Sequence, residues 1–168
     1  MQNTSSIERI ALTGNKNQTS RARLQSALDH RQPDGVCVDF GASFVTGLHV
    51  SVVHRLRQRV LGDPAFRVKV IEPYQMLGEV DDELREALGI DVIGAQPRKS
   101  IFGTEAKDWK PFTMPDGTPC LVPGNFNVTP APDGGWLMYP EGDTSVPASG
   151  HMPGGGYFLR SLALATVW

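Results

Sequence analysis

Residues 89 to 96, Gly-Ile-Asp-Val-Ile-Gly-Ala-Gln, close the second of two back-to-back strand-then-helix units, and beyond them the alternation stops. Two and a half β/α units are the opening of a barrel or a doubly wound sheet, and a parallel sheet needs both faces covered before it is stable. With 168 residues, the chain is either a compact variant of such a fold or the front part of something longer. Its later segments favour the second.

The units read as follows. Residues 1–19 are rich in Gln, Asn, Thr and Ser with a short apolar trace, Ile7, Ile10 and Leu12, which predicts a flexible N-terminal arm or a strand that docks late. Ser20 is a candidate N-cap for a helix carrying Leu24, Ala27 and Leu28 on one face, stopped by Pro33, Asp34 and Gly35. The apolar run 36–40 predicts a first strand buried on both sides. Thr46 is the expected N-cap of the next helix, striped by Leu48, Val52, Leu56 and Val60 beside Val53 and ended by Gly62, Asp63 and Pro64. Residues 66–71 form the second predicted strand. Val80, Leu84 and Leu88 stripe a further helix whose first turn holds Glu79, Asp81 and Asp82, the charge sign a helix N-terminus favours, with Gly89 as its C-cap signal. Residues 90–95 are the third strand.

After Pro97 the pattern is antiparallel. Asp116-Gly117 and Asp133-Gly134 mark two hairpin turns, predicting a β-meander of about four strands, 109–113, 120–122, 126–129 and 136–139, inserted at about 107–143. Residues 151–158 read as a loop and 159–168 as a last apolar segment. The expected fold class is α/β: a βαβαβ core with a meander, in a domain spanning 20–168, not a closed barrel.

Composition excludes more than it identifies. A formal net charge of −2 with 20% charged residues gives no electrostatic case for nucleic acid or an anionic membrane, both of which favour clustered Lys and Arg. The clusters Arg21, Arg23, Arg31 and Arg55, Arg57, Arg59 read as solvated helix faces. No run approaches the roughly 18 apolar residues of a membrane span. Cys37 and Cys120 are the only cysteines and suggest neither a disulfide framework nor a CxxC site, which fits a reducing cytoplasm. The glycines 154–156 lack the GxxxxGK[ST] pattern of a phosphate loop.

Taken in order, several short motifs carry a resemblance. These are Ala27-Leu28-Asp29-His30-Arg31-Gln32-Pro33-Asp34, Val38-Asp39-Phe40-Gly41 with Thr46-Gly47, and Pro73-Tyr74-Gln75-Met76-Leu77 before an acidic helix. Leu88-Gly89-Ile90-Asp91-Val92 follows, then Tyr139-Pro140-Glu141-Gly142-Asp143 and Met152-Pro153-Gly154-Gly155. Together they resemble the N-terminal part of the uroporphyrinogen decarboxylase-like superfamily, in particular its corrinoid-linked methyltransferases, from about residue 20 to 158. The resemblance implies an incomplete (β/α)8 TIM-barrel-like N-terminal part, since a closed barrel needs about 250 residues, with the active site at the C-terminal ends of the strands. It also implies zinc and a corrinoid methyl carrier for the family. The His-x-Cys pair that binds the zinc belongs to the part of the family pattern absent from this chain, so no metal or other cofactor is assigned. The arginine-rich segment by which the family's decarboxylases grip substrate carboxylates has no counterpart in residues 41–47.

Polar residues at strand ends are the candidates for the mouth of the barrel. Glu72, Tyr74 and Asp39 are the catalytic candidates, and Phe40, Gly41, Gln75, Gln96 and His151 the substrate contacts; the same groups also serve as loop caps in many folds. His49 and His54 read as surface or packing residues. The function implied is the N-terminal part of a corrinoid-dependent methyltransferase, inactive by itself. The alternatives are a uroporphyrinogen decarboxylase-type lyase and a non-catalytic self-associating domain. A parallel sheet cut after three strands leaves an unpaired edge, so a homo-oligomer, or a further chain that completes the barrel, is expected, with a corrinoid protein as a further partner. Leu159, Leu162, Leu164, Val167 and Trp168, beside Phe158, would supply apolar contact.

Overall fold

A computed structural model describes residues 17–100 and 103–162. The expectations for most of the N-terminal arm and for residues 163–168 lie outside the described residues. Among the described residues the fold is mixed α/β, with three helices and two small sheets. Helix α1 spans Ser20–Leu28 and α2 Val50–Leu61; strand β1 covers Val68–Glu72 and β2 Leu77–Gly78; α3 is Asp82–Leu88. Then come β3 Lys110–Thr113, β4 Pro119–Val122, β5 Val128–Pro130, β6 Trp136–Met138, a short 3-10 turn at Pro140–Gly142, β7 Gly150–Met152 and β8 Arg160–Ser161. Among the described residues no helix is long and apolar enough to cross a membrane.

The first sheet has the order β2-β1-β4-β3, and its β1–β4 pair, Val68 opposite Cys120 and Lys69 opposite Leu121, is parallel. The second runs β5-β6-β7-β8, all antiparallel. Both predicted hairpins form, around Gly117 and Gly134 with φ of +82° and +79°, the left-handed backbone such turns demand. They do not make one meander. Each hairpin belongs to a different sheet, because β4 pairs with β1 while β6 pairs with β7, a strand that overlaps the start of the stretch expected to be a loop.

The expected strands at 36–40 and 90–95 carry no ladder. The two segments do run side by side in the same direction: the Asp91 N–H donates to the Val38 carbonyl at 2.8 Å, and the Val38 N–H donates to the Asp91 carboxylate at 3.1 Å. A side chain thus takes the place of the next backbone rung. Further along, Gly94 lies so close to Ala42 that a Cβ would come within 2.2 Å of its carbonyl oxygen.

The helices differ from expectation in which face they bury. α3 agrees: Asp81 caps it by accepting from the Leu84 N–H at 2.9 Å, Gly89 ends it at φ +64°, and Leu84 is fully buried. α1 is capped by Thr19 instead of Ser20 and buries Arg23 and Ser26, leaving Leu24 and Leu28 exposed. α2 starts at Val50, capped by His49 instead of Thr46, and buries Val50, Val53, His54 and Arg57 while Val52 and Val60 face outward. The cause is common to both helices: the 3.6-residue period turns one arginine of each cluster inward, onto carboxylates from other segments. Arg23 and Arg57 are therefore buried, not solvated.

One apolar core serves both sheets. Val68 and Val70 of β1 and Cys120 and Val122 of β4 join Met138 of β6 and Met152 of β7, with Phe126 between the sheets, edge-on to Phe112 at 5.7 Å. Phe126→Ala should cost about 3–5 kcal/mol, and a single urea transition followed by tryptophan fluorescence and by circular dichroism together should shift as one. Non-coincident transitions would show instead that the sheets unfold separately.

Candidate functional site

A cleft of about 570 Å³ opens between β1 and the paired segments 36–42 and 90–96, a size within the range of small-molecule sites. Its walls come from Phe40, Gly41 and Ala42 on one side and from Phe66, Lys69 and Ile71 on the other, with Val92, Ile93, Gly94 and Gln96 closing an end. α2 contributes Arg57. The N-terminal turn of α3 and the residues before it contribute Glu79, Asp81, Asp82 and Glu83.

The charges are paired within the cleft. Arg57 lies flat over Phe66, its Cζ 3.5 Å from the ring centroid, and donates to the carboxylates of Asp81 and Glu83. Lys69 Nζ sits 3.2 Å from Glu79, and Arg85 Nη2 3.3 Å from Asp82. Each cation lining the cleft thus already has a carboxylate. Of the expected substrate contacts, the cleft brings Phe40, Gly41 and Gln96 together. Gln75 stands exposed in the turn after β1, and His151 lies on β7 in the other sheet, with Nε2 3.0 Å from Asp133 Oδ2.

The three catalytic candidates hold loops in shape. Glu72 ends β1 with 4% exposure, and its two carboxylate oxygens accept the N–H groups of Tyr74 and Gln75 at 2.9 and 2.7 Å. Burial pushes its carboxyl above the usual range, opposed by those two amides. The Tyr74 hydroxyl accepts from the Ser161 N–H at 3.2 Å, tying the end of β1 to β8. Asp39 Oδ1 accepts from the Ala42 N–H and the Thr46 hydroxyl, both at 3.2 Å. None of the three lines the cleft.

Residue-type reasoning missed the cleft's charged wall, because the acidic run 79–83 was legible only as a helix start. His49 was also undervalued. Its Nδ1 accepts from the Ser51 N–H at 3.2 Å, capping α2, and its Nε2 donates to the Tyr157 carbonyl at 3.0 Å, beside a smaller cavity of about 190 Å³. Burial lowers its pKa, in keeping with the neutral ring that this pair of bonds requires.

Among the described residues no group of three or more His, Cys, Asp or Glu could hold a metal ion. Burial pushes the Cys120 thiol up to about 12, so the thiolate that zinc binds is scarce near neutral pH.

Compared with protein-family models, with curated proteins and with solved structures, the chain matches none.

Because the folded pKa of Glu72 lies above its unfolded value of about 4.3, its contribution to stability is complete below that value and is lost as pH rises through the folded one. The stability of the parent chain relative to Glu72→Gln should therefore fall as pH climbs from about 4 and then level off, read from urea midpoints across a pH series. A difference that is flat, or that grows with pH, would contradict the burial argument.

Proposed function

We propose that this chain is the N-terminal part of a uroporphyrinogen decarboxylase-like methyltransferase that works with a corrinoid methyl carrier, in a reducing cytoplasm. The cleft between β1 and segments 36–42 and 90–96 is then the substrate-side wall of that incomplete (β/α)8 TIM-barrel-like part. The observation that carries the choice of methyltransferase over lyase is the charge pairing. A tetrapyrrole with several carboxylates needs unpaired cations, and Arg57, Lys69 and Arg85 are each engaged by a carboxylate of the chain. The walls beside them are apolar, which suits a smaller substrate.

A second reading has its own support. Glu72, Tyr74 and Asp39 spend their polar atoms on backbone amides and a hydroxyl of neighbouring loops, as the residues of a non-catalytic, self-associating domain would. Both readings share one consequence: the chain alone has no turnover. Catalysis needs groups held within about half an ångström of the productive geometry, and the zinc-bearing side of the family's site is not in this chain.

The readings separate when the missing side is supplied. Joined to the zinc-bearing C-terminal half of a methyltransferase of this superfamily, the chain should gain zinc-dependent demethylation of methylcobalamin with a thiol acceptor and no decarboxylation of uroporphyrinogen. Release of carbon dioxide from uroporphyrinogen would favour the lyase, and a folded hybrid that never demethylates would favour the non-catalytic domain. The unfused chain should hold zinc substoichiometrically by elemental analysis. Tight one-to-one zinc, unaffected by Cys37→Ser and Cys120→Ser, would reveal a ligand set elsewhere.

Assembly follows from the same reading. Tyr157 and Phe158 are exposed next to β8, an edge strand of the second sheet, and an open edge with apolar neighbours invites pairing with another chain. An identical copy, or a chain completing the barrel, would cover it. Light scattering at micromolar concentration should give at least a dimer mass. A monomer mass at that concentration would remove this part of the proposal.

A further inference from the structure

At the floor of the cleft one donor of Arg57 is left over. The side chain is 5% exposed, with Nη1 given to Asp81, Nη2 to Glu83 and one face to the Phe66 ring. Nε is buried and has no acceptor among the described residues, a costly state for an N–H donor. In a planar guanidinium the Nε–H and one Nη2–H lie side by side and point the same way, forming a fork that takes two acceptor atoms at once. The open donor therefore faces the side on which Glu83 stands, and Glu83 lines the cleft with 73% of its side chain exposed. An acceptor atom entering beside Glu83 completes the fork.

Charge decides which acceptor. Four carboxylates, Glu79, Asp81, Asp82 and Glu83, line the cleft against three cations, Arg57, Lys69 and Arg85, and each cation is already paired. An anion would add a fifth negative charge with no uncommitted cation to meet it. An ammonium suits the surplus of carboxylates but has no lone pair to offer Nε. An uncharged carbonyl oxygen satisfies both conditions. Where the same carbon bears an amino group, as in a carboxamide, the N–H can reach the Glu83 carboxylate, which has more acceptor sites than the one Arg57 uses. Phe40, Ile71, Val92 and Ile93 give the cleft an apolar lining, which suits an apolar body behind such a head group.

We propose that the cleft takes an uncharged primary carboxamide with an apolar body, its carbonyl oxygen accepting from Arg57 Nε, its N–H donating to the Glu83 carboxylate and its body lying along Phe40, Ile71 and Ile93. The carboxamide rests on the cleft being a substrate site, whatever group is transferred there.

Benzamide, benzoate and benzylamine share one body and differ in head group and charge. Titrated into nitrogen-15-labelled chain, benzamide should shift the Arg57 Nε–H resonance and the Phe40 and Ile93 amides saturably, and should bind at least tenfold more tightly than the other two. Glu83→Ala, at an exposed position, should reverse that preference, a change that loss of fold does not produce. With Glu83 gone the fork is open and the lining charges balance, so benzoate tightens at least tenfold while benzamide loses the acceptor for its N–H. If the Phe40 and Ile93 amides shift but no probe moves the Arg57 Nε–H, or if benzoate binds the parent chain as tightly as benzamide, the carboxamide is overturned and the cleft remains a binding site. If no probe shifts any resonance of the cleft, the reading of the cleft as a substrate site fails together with the carboxamide.

Discussion

The buried guanidinium of Arg23 is the point on which one side of the molecule depends. It is 1% exposed and bridges Asp34 at 2.7 Å and Asp91 at 2.5 Å. Asp91 in turn accepts from the Val38 N–H and from the Ser20 hydroxyl. Helix α1, segment 34–40 and segment 90–96 therefore meet at one ionic cluster. The two segments have no ladder of their own, so the cluster and the tight passage of Gly94 past Ala42 are what hold them together. The Gln18 amide and Arg23 keep the Asp34 carboxyl below the usual carboxylate range, and those acceptors hold the arginine above its ordinary value against the pull of desolvation. Removing one partner of such a cluster leaves a charge buried without compensation, which is why ion pairs of this kind are structurally costly to break.

The cleft lies between β1 and the two segments that this cluster joins. β1 is fixed by ladders on both sides, with Val68 and Val70 in the shared core, so its position is set by burial. Segments 36–42 and 90–96 are placed by charge, at a distance that leaves a gap. Arg57 closes the floor of that gap by stacking on Phe66 and binding Asp81 and Glu83. The two arginines play parallel parts: each is buried on its helix and spends its charge on carboxylates from later segments.

The second sheet works differently. Its strands are two or three residues long, too short to be stable as an isolated unit. Met138, Met152 and Phe126 bury it against the first sheet, and two bonds to Tyr74, from the Leu159 N–H to its carbonyl and from the Ser161 N–H to its hydroxyl, fix its last strand to the end of β1. Tyr74 thus joins the two sheets, and Glu72 holds the turn that carries it.

Sequence by itself determined the local features whose causes lie within a few residues. The two Asp-Gly hairpin turns, the acidic start and Gly89 end of α3, its Leu84 stripe and the existence of all three helices follow from backbone preferences and short-range hydrogen bonds, and all are present. Strand identity at 36–40 and 90–95 was not legible, because an apolar run does not say whether a neighbouring strand is available to pair with it. The buried face of α1 and α2 was hidden for a related reason: an arginine reads as solvent-facing until Asp34, Asp91, Asp81 and Glu83 arrive from elsewhere to neutralise it. Of the candidate site, Phe40, Gly41 and Gln96 were legible as segment ends that converge, whereas the charged wall opposite them was not. Only the tertiary structure decided which carboxylate meets which arginine, since an ion pair is fixed by distance in space, and separations of 11 to 68 residues along the chain leave that distance open until the core has formed.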